Sequence, residues 1–183
     1  KDNGILPNRP IRENLNLTGL PSFAAFGFVS NGRERRRCEE TLRRFRVKFD
    51  SMEAPITSLS GGNQQKVLLG RVMSRSLRLL ILEDPTAGID VGARLDIYEQ
   101  IKRKAEEGVG VLLLSCDLPE TLMLCHRVLT MYGGRIVREY VDPGFDHEQD
   151  IVSDILGKRS HPQPVAAFAP GAEAGPRPSR AGF

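Results

Sequence analysis

Two stretches hold residues whose types and spacing could do chemistry. The first is Leu59-Ser60-Gly61-Gly62-Asn63-Gln64-Gln65-Lys66, a glycine pair placed where a helix begins. Glycines at a helix start leave backbone N–H groups uncovered, and the helix dipole adds partial positive charge, a combination that can receive a phosphate. The same residues could also be no more than a serine-capped helix with a flexible entry. The second stretch is an aliphatic run, Leu79-Leu80-Ile81-Leu82, that stops at Glu83 and Asp84 and is followed by a Pro-Thr-Ala-Gly turn and Asp90. Such a run, bounded by turn residues, reads as a strand buried on both faces of a parallel sheet. Ligands of open parallel sheets sit off the carboxyl ends of the strands, where these acids fall, although acids there can also simply cap the strand end and the turn.

The elements that must position these residues follow from periodicity. Residues Ile11 to Asp50 are helical in tone and rich in arginine, with Leu42, Phe45, Val47 and Phe49 giving a modest apolar face. The glycine pair opens a helix whose apolar positions include Val67, Leu68, Val72 and Met73. After the acidic strand end, Ala93, Ile97, Tyr98, Ile101 and Ala105 recur at helical spacing, with Gly108 as the stop. Val109 to Ser115 reads as a second buried strand, and Asp117 and Glu120 are spaced as a capping box for a short helix with Pro119 in its first turn. Residues Arg127 to Tyr140 read as a hairpin around Gly133-Gly134. Strand, helix, strand, short helix and hairpin make an α/β order.

Bulk composition narrows the class. The 183 residues are 40% hydrophobic and 27% charged with a net charge of +3, a balance too mild to argue for nucleic acid. The basic run Arg33 to Arg46 is interspersed with Glu34, Glu39 and Glu40 and lacks the aromatic partners of a nucleic-acid surface, so it reads as a solvated helix face. No apolar run approaches the roughly 20 residues that span a bilayer, and no signal-peptide pattern opens the chain. Three irregularly spaced cysteines do not form a disulfide framework, and Cys116, Cys125 and His126 do not have a zinc spacing, which leaves a reducing cytosol as the expectation. In the 23 residues from His161 to Phe183, five prolines, three glycines and six alanines fill 14 positions, the composition of a disordered tail. The chain opens at Lys1 rather than at methionine, as expected of a fragment or a trimmed product.

From Lys1 to about Tyr140 these motifs, in unbroken order, resemble the ATP-binding subunits of ABC transporters. The resemblance is greatest to the second nucleotide-binding half of the duplicated ATPases of bacterial monosaccharide importers. The segment Asp2 to Leu17 is similar to the one that follows their Q-loop, and Ser58 to Arg71 to their signature motif. Leu79 to Ala93 is similar to their Walker B strand and D-loop, and Leu112 to Glu120 to their switch region. The resemblance implies a P-loop NTPase fold of the ABC type, with two such domains sandwiching ATP and Mg²⁺ head to tail. It implies that Ser60, Gly61, Gly62 and Asn63 contact the γ-phosphate held by the opposing domain. Asp90 becomes the D-loop acid that couples the sites, and the arginine-rich segment part of a helical subdomain that docks on the membrane permease.

Three departures qualify it. Nothing in the chain fits G-x-x-x-x-G-K-[ST], so the N-terminal Walker A part is absent and the isolated chain is expected to be inactive. The family order at the strand end is Asp then Glu, whereas here Glu83 holds the Mg²⁺ position, reached through water, and Asp84 the position of the catalytic glutamate. Each carboxylate is thereby displaced by one methylene, about 1.5 Å, and phosphoryl transfer depends on positioning, so slow turnover is expected. The switch histidine is replaced by Cys116, whose S–H is a weak donor and which reads more readily as a buried structural thiol than as a stand-in for the histidine.

The reading is therefore an α/β, partial ABC-type nucleotide-binding domain. A helical subdomain is expected over 1–75, a RecA-like core portion over 76–141 and a C-terminal extension over 142–183. The implied role is the ATP-hydrolysing component of a sugar importer, peripheral on the cytoplasmic face of the membrane. Its partners would be a second nucleotide-binding domain, the permease and, indirectly, a solute-binding protein, with no nucleic acid. The alternative is a degenerate, non-catalytic half that lends its signature motif to a partner site.

Overall fold

The computed structural model describes residues 4–18, 24–25 and 28–158. The tail expected to be disordered therefore lies outside the described residues. Two compact units are present, Lys1–Leu124 and Cys125–Phe183.

The first unit begins with α1 (Ile11–Asn16), a short antiparallel pair β1 (Ala24–Ala25) and β2 (Phe28–Val29), and α2 (Asn31–Arg44). The segment that is helical in tone thus holds two helices with a short strand pair between them. Helix α2 buries Glu34, Cys38, Thr41 and Leu42, an i, i+4, i+7, i+8 stripe, and leaves most of its arginines outside. Its one buried acid, Glu34, accepts from Arg12 at 2.9 Å and from Asn16 at 3.3 Å. Helix α3 (Gly61–Met73) crosses α1 and α2 closely at Gly70, where an added Cβ would meet Thr41 at 3.0 Å and Leu15 at 3.3 Å. Beside it the buried guanidinium of Arg71 donates to the carbonyls of Asn14 (2.6 Å) and Gly4 (2.8 Å), strapping the N-terminal segment to α3.

Strand β3 (Leu79–Glu83) pairs in parallel with β4 (Gly110–Leu114), Leu79 facing Gly110 and Glu83 facing Leu114. The connecting helix α4 (Val91–Glu106) buries Ile97, Tyr98 and Ile101 and ends at Gly108, whose φ of +87° suits glycine. One apolar core runs through this unit, from Ile11 and Leu15 through Leu42, Val67 and Met73 to Leu80, Leu82, Ile97 and Val109.

The strands correct the sequence expectation. They are buried on one face only: Leu80 and Leu82 are 2% and 7% exposed, but Leu79 and Ile81 are 56% and 60% exposed. Leu112 and Leu114 on β4 are about half exposed as well. Strand residues alternate between faces, and among the described residues the helices cover one face of this two-stranded sheet. The aliphatic run carries apolar residues for both faces, while the described residues cover one.

After α5 (Leu118–Leu124), the second unit holds the hairpin β5 (Arg127–Tyr132) and β6 (Arg135–Val141), turned at Gly133 and Gly134 with φ of +55° and +75°. Two consecutive positive φ angles match the right-handed strand twist, which is why a glycine pair sits there. Helix α6 (Glu148–Ile155), not foreseen from the sequence, packs on β5. It holds the buried Asp154, which accepts from Tyr140 at 2.7 Å and Thr130 at 3.3 Å and lies 3.3 Å from the Arg138 guanidinium. Burial, then the Asp154 contact, pushes the Tyr140 hydroxyl up to about 12.

Candidate nucleotide site

The expected glycine-pair helix is α3. Ser60 is its N-cap, with Oγ accepting from Asn63 N at 3.5 Å and Asn63 Nδ2 at 3.0 Å, and Asn63 Oδ1 accepts in turn from the Lys48 amide at 3.0 Å. The serine therefore has its acceptor side occupied by the cap and keeps its hydroxyl proton to donate. Gly61 is exposed, an added Cβ there would meet nothing within 4 Å, and no hydrogen bond from its amide is found among the described residues. At Gly62 the same Cβ would lie 3.4 Å from Asp90 Oδ2 and 3.6 Å from Ala93. Asp90 caps α4 by accepting from Ala93 N at 2.9 Å. The helix entry and the acid after the turn thus adjoin, and Gln65 adds a 3.3 Å bond from α3 to the Pro85 carbonyl. Ser60 to Asn63 and Asp90 form one cluster.

Further along, Lys66 Nζ reaches Asp96 Oδ2 on α4 at 2.6 Å, and Arg46 reaches Asp96 Oδ1 at 2.7 Å. Burial pushes the Asp96 carboxyl up, but the hydrogen bonds from Lys66 and Arg46 outweigh it and hold the group below the usual aspartate range. This pair fixes α3 against α4 and so sets where the glycines point.

The adjacent acids separate. Glu83 alternates with Leu79 and Ile81 on the exposed face of β3, and no hydrogen bond or ion pair to its carboxylate is found among the described residues. Asp84 leaves the strand with φ +40°, a left-handed conformation that aspartate tolerates better than most residues. Its amide donates to Leu114 O at 2.8 Å, and its Oδ1 accepts from the Cys116 amide at 2.9 Å. Asp84 and Cys116 meet at the carboxyl ends of β3 and β4, in a cleft of about 340 Å³ lined also by Thr86, Arg94, Ser115, Asp117 and Glu120. Cys116 is exposed there, not buried as the structural-thiol alternative required.

Sequence reasoning missed the floor of this cleft. The Asp117–Glu120 capping box is half made: Asp117 Oδ1 accepts from Glu120 N at 3.0 Å, but the Glu120 carboxylate turns to the Thr86 and Ser115 hydroxyls. Arg94 closes one wall by donating to Asp117 Oδ2 at 2.7 Å, which raises its guanidinium above the ordinary value. The spacing of Asp117 and Glu120 was the available signal, and it pointed only to a cap.

Nucleotide and cation fit unequally here. The α3 entry suits an anion, with an open amide and a donor hydroxyl. No group of three or more His, Cys, Asp or Glu side chains placed to hold a metal is found among the described residues. A divalent cation at this strand end would rely on one carboxylate, waters and the phosphates themselves.

A parallel strand pair with acids at its carboxyl end, joined to a glycine-opened helix, defines part of a nucleotide-binding α/β domain. A family model described as "ABC transporter" matches residues 1–87. The chain is 44% identical over 137 residues to a ribose import ATP-binding protein of Rubrobacter xylanophilus, which is 74% of this chain and 28% of that one. It is 39% identical over 156 residues to an arabinose import ATP-binding protein of Rhizobium meliloti, 85% of this chain and 31% of that one. Among solved structures, the ATP-binding cassette MJ0796, a dimer in a post-hydrolysis state bound to ADP and Pi, superposes with a TM-score of 0.65 at 24% identity. That match covers 77% of this chain and 60% of the cassette. The chain belongs to the ABC transporter ATP-binding family, and its fold is part of the P-loop NTPase cassette. It spans about three tenths of the length of the curated relatives it matches. No helix among the described residues is long and apolar enough to cross a membrane.

Proposed function

We propose that this chain forms the signature and acidic parts of an ATP site in a sugar importer, peripheral to the cytoplasmic face of the membrane. The observation that carries the reading is the α3 entry: a donor hydroxyl at Ser60 and an uncovered amide at Gly61, held beside Asp90. Ser60, Gly61, Gly62 and Asn63 would take the γ-phosphate of a nucleotide gripped by a partner domain, and Asp90 would couple the two sites. Asp84, in the cleft, would orient the attacking water, with Cys116 in the switch position. Glu83 would approach Mg²⁺ through water. The grip on the nucleotide of this chain's own site comes from residues outside these 183, since no phosphate-binding loop is among them. Sugar import rests on the names of the relatives, and partnership with a permease and a solute-binding protein on membership of the ABC transporter family.

A second reading has a specific observation in its favour. One oxygen of Asp84 is already committed to the Cys116 amide, and Glu83 stands on the other face. A strand end so arranged suits a slow site that lends its signature motif to a competent partner. One substitution separates the two. Asp84→Asn keeps an oxygen for Cys116 and removes the charge. In the polypeptide as its gene encodes it, assembled with its partners and assayed for ATP turnover with the partner site disabled, the hydrolytic reading expects a fall of about 100-fold or more. Turnover near background in both proteins supports the regulatory reading.

A further inference from the structure

We propose that Glu120 is a positioning residue for Asp84, clamping the turn after β3 to the turn after β4. This rests on the reading of Asp84 as the acid of a nucleotide site. Glu120 is 1% exposed and, among the described residues, pairs with no cation. A buried carboxylate is costly unless its oxygens are hydrogen-bonded. Here both are: Oε1 accepts from Thr86 Oγ1 at 2.7 Å and Oε2 from Ser115 Oγ at 2.6 Å. The two hydroxyls belong to the two loops that carry the candidate chemistry. Thr86 lies two residues after Asp84, and Ser115 immediately precedes Cys116, whose amide donates to Asp84 Oδ1.

The links close into a ring: Asp84 to Cys116 by a hydrogen bond, Cys116 to Ser115 by the chain, Ser115 to Glu120 to Thr86 by two more, and Thr86 back to Asp84 through Pro85. Both carboxylates of the ring accept charge-assisted bonds, which are the strong kind. An open pair of loops would let Asp84 wander, and a misplacement of about 1 Å at a reacting centre costs on the order of 100-fold in rate. A leucine would fill the space of Glu120 without the desolvation penalty, but would leave the loops unlinked. The ring accounts for a charge that packing alone does not need.

Two measurements test this on the polypeptide as encoded. The first is ATP turnover of Thr86→Val, Ser115→Ala, their double variant, Glu120→Leu and Glu120→Gln. A ring opens once, so each single loss is expected to lower kcat about 10-fold with KM for ATP little changed, and the double variant to fall no further. Glu120→Gln, which can still bridge both hydroxyls, should recover most of the rate. Undiminished kcat in folded Thr86→Val, or losses that multiply and move KM equally, would overturn the proposal. The second measurement is hydrogen exchange at the Cys116 amide, which needs no turnover. In Thr86→Val it should quicken about 10-fold or more while amides within β4 stay protected; unchanged exchange would overturn the clamp. If the wild-type protein turns over no ATP, the functional reading fails while the exchange result still decides whether Glu120 holds the two loops.

Discussion

The exchanged acids acquire a physical meaning from the backbone beneath them. Asp84 sits at φ +40° and accepts from the Cys116 amide, two conditions that favour a short side chain with an oxygen close to its own main chain. Asp84→Asn is expected to unfold in urea with the wild type, whereas Asp84→Glu, longer and less tolerant of this conformation, should lose about 1–3 kcal/mol. Thiol reactivity gives a second check at this scale. Cys38 is fully buried and its thiol is pushed up to about 12, chiefly by desolvation, while Cys116 is exposed. Native labelling with iodoacetamide should therefore modify Cys116 and reach Cys38 only after unfolding. At this scale the sequence was legible where a side chain's role is local: Ser60 as a cap and the glycine pair as an open entry, whereas the cap that Asp90 makes on α4 came from the structure. The sequence marked Glu120 only as a cap and was silent on its bond to Thr86, because the two residues lie 34 apart in the chain and meet only through packing.

Between elements, α3 is held on two sides, at Gly70 against α1 and α2 and at Lys66 against α4. Gly70→Leu has no space to occupy beside Thr41 and Leu15, and overpacking of this kind is expected to cost about 1–3 kcal/mol by denaturant unfolding. The Lys66–Asp96 contact makes part of the stability depend on pH. Asp96 has its folded pKa held below the ordinary value of 3.8, so its contribution is present above that value and is lost as pH falls through the folded pKa. Asp96→Asn should weaken the protein at neutral pH and flatten the acid limb of its stability curve, as followed by circular dichroism from pH 7 to 2. Helical periodicity revealed α4 and most of α3, whose buried positions recur at the helical interval. Helix α6 escaped because it is only eight residues long and buries Ile151 and Asp154, the second a residue that no hydrophobic pattern would mark.

For the molecule as a whole, the sheet is the feature least finished. Leu79, Ile81, Leu112 and Leu114 place apolar side chains on one uncovered face. Contiguous exposed apolar surface drives association, so the chain alone should bind a hydrophobic dye and sediment as more than a monomer at high concentration. Ile81→Lys should reduce both. The aliphatic run told correctly that a strand lay there and ended at the acids. How many of its faces are covered depends on what packs above the sheet, which the run itself does not encode. The α/β order and the hairpin were legible because glycines punctuate them at Gly108 and Gly133-Gly134, each with a positive φ that other residues adopt poorly.

The left-handed turn at Asp84 also constrains mutational history. Aspartate and glutamate codons are single-nucleotide neighbours, so the order Glu83-Asp84 is two steps from its reverse. One path runs through a pair of aspartates and keeps the short side chain at position 84 until last; the other runs through a pair of glutamates and strains that turn at the first step. Drift between the two orders should therefore pass through Asp-Asp, and the final exchange to glutamate at position 84 should require a compensating change in the loop that carries Cys116.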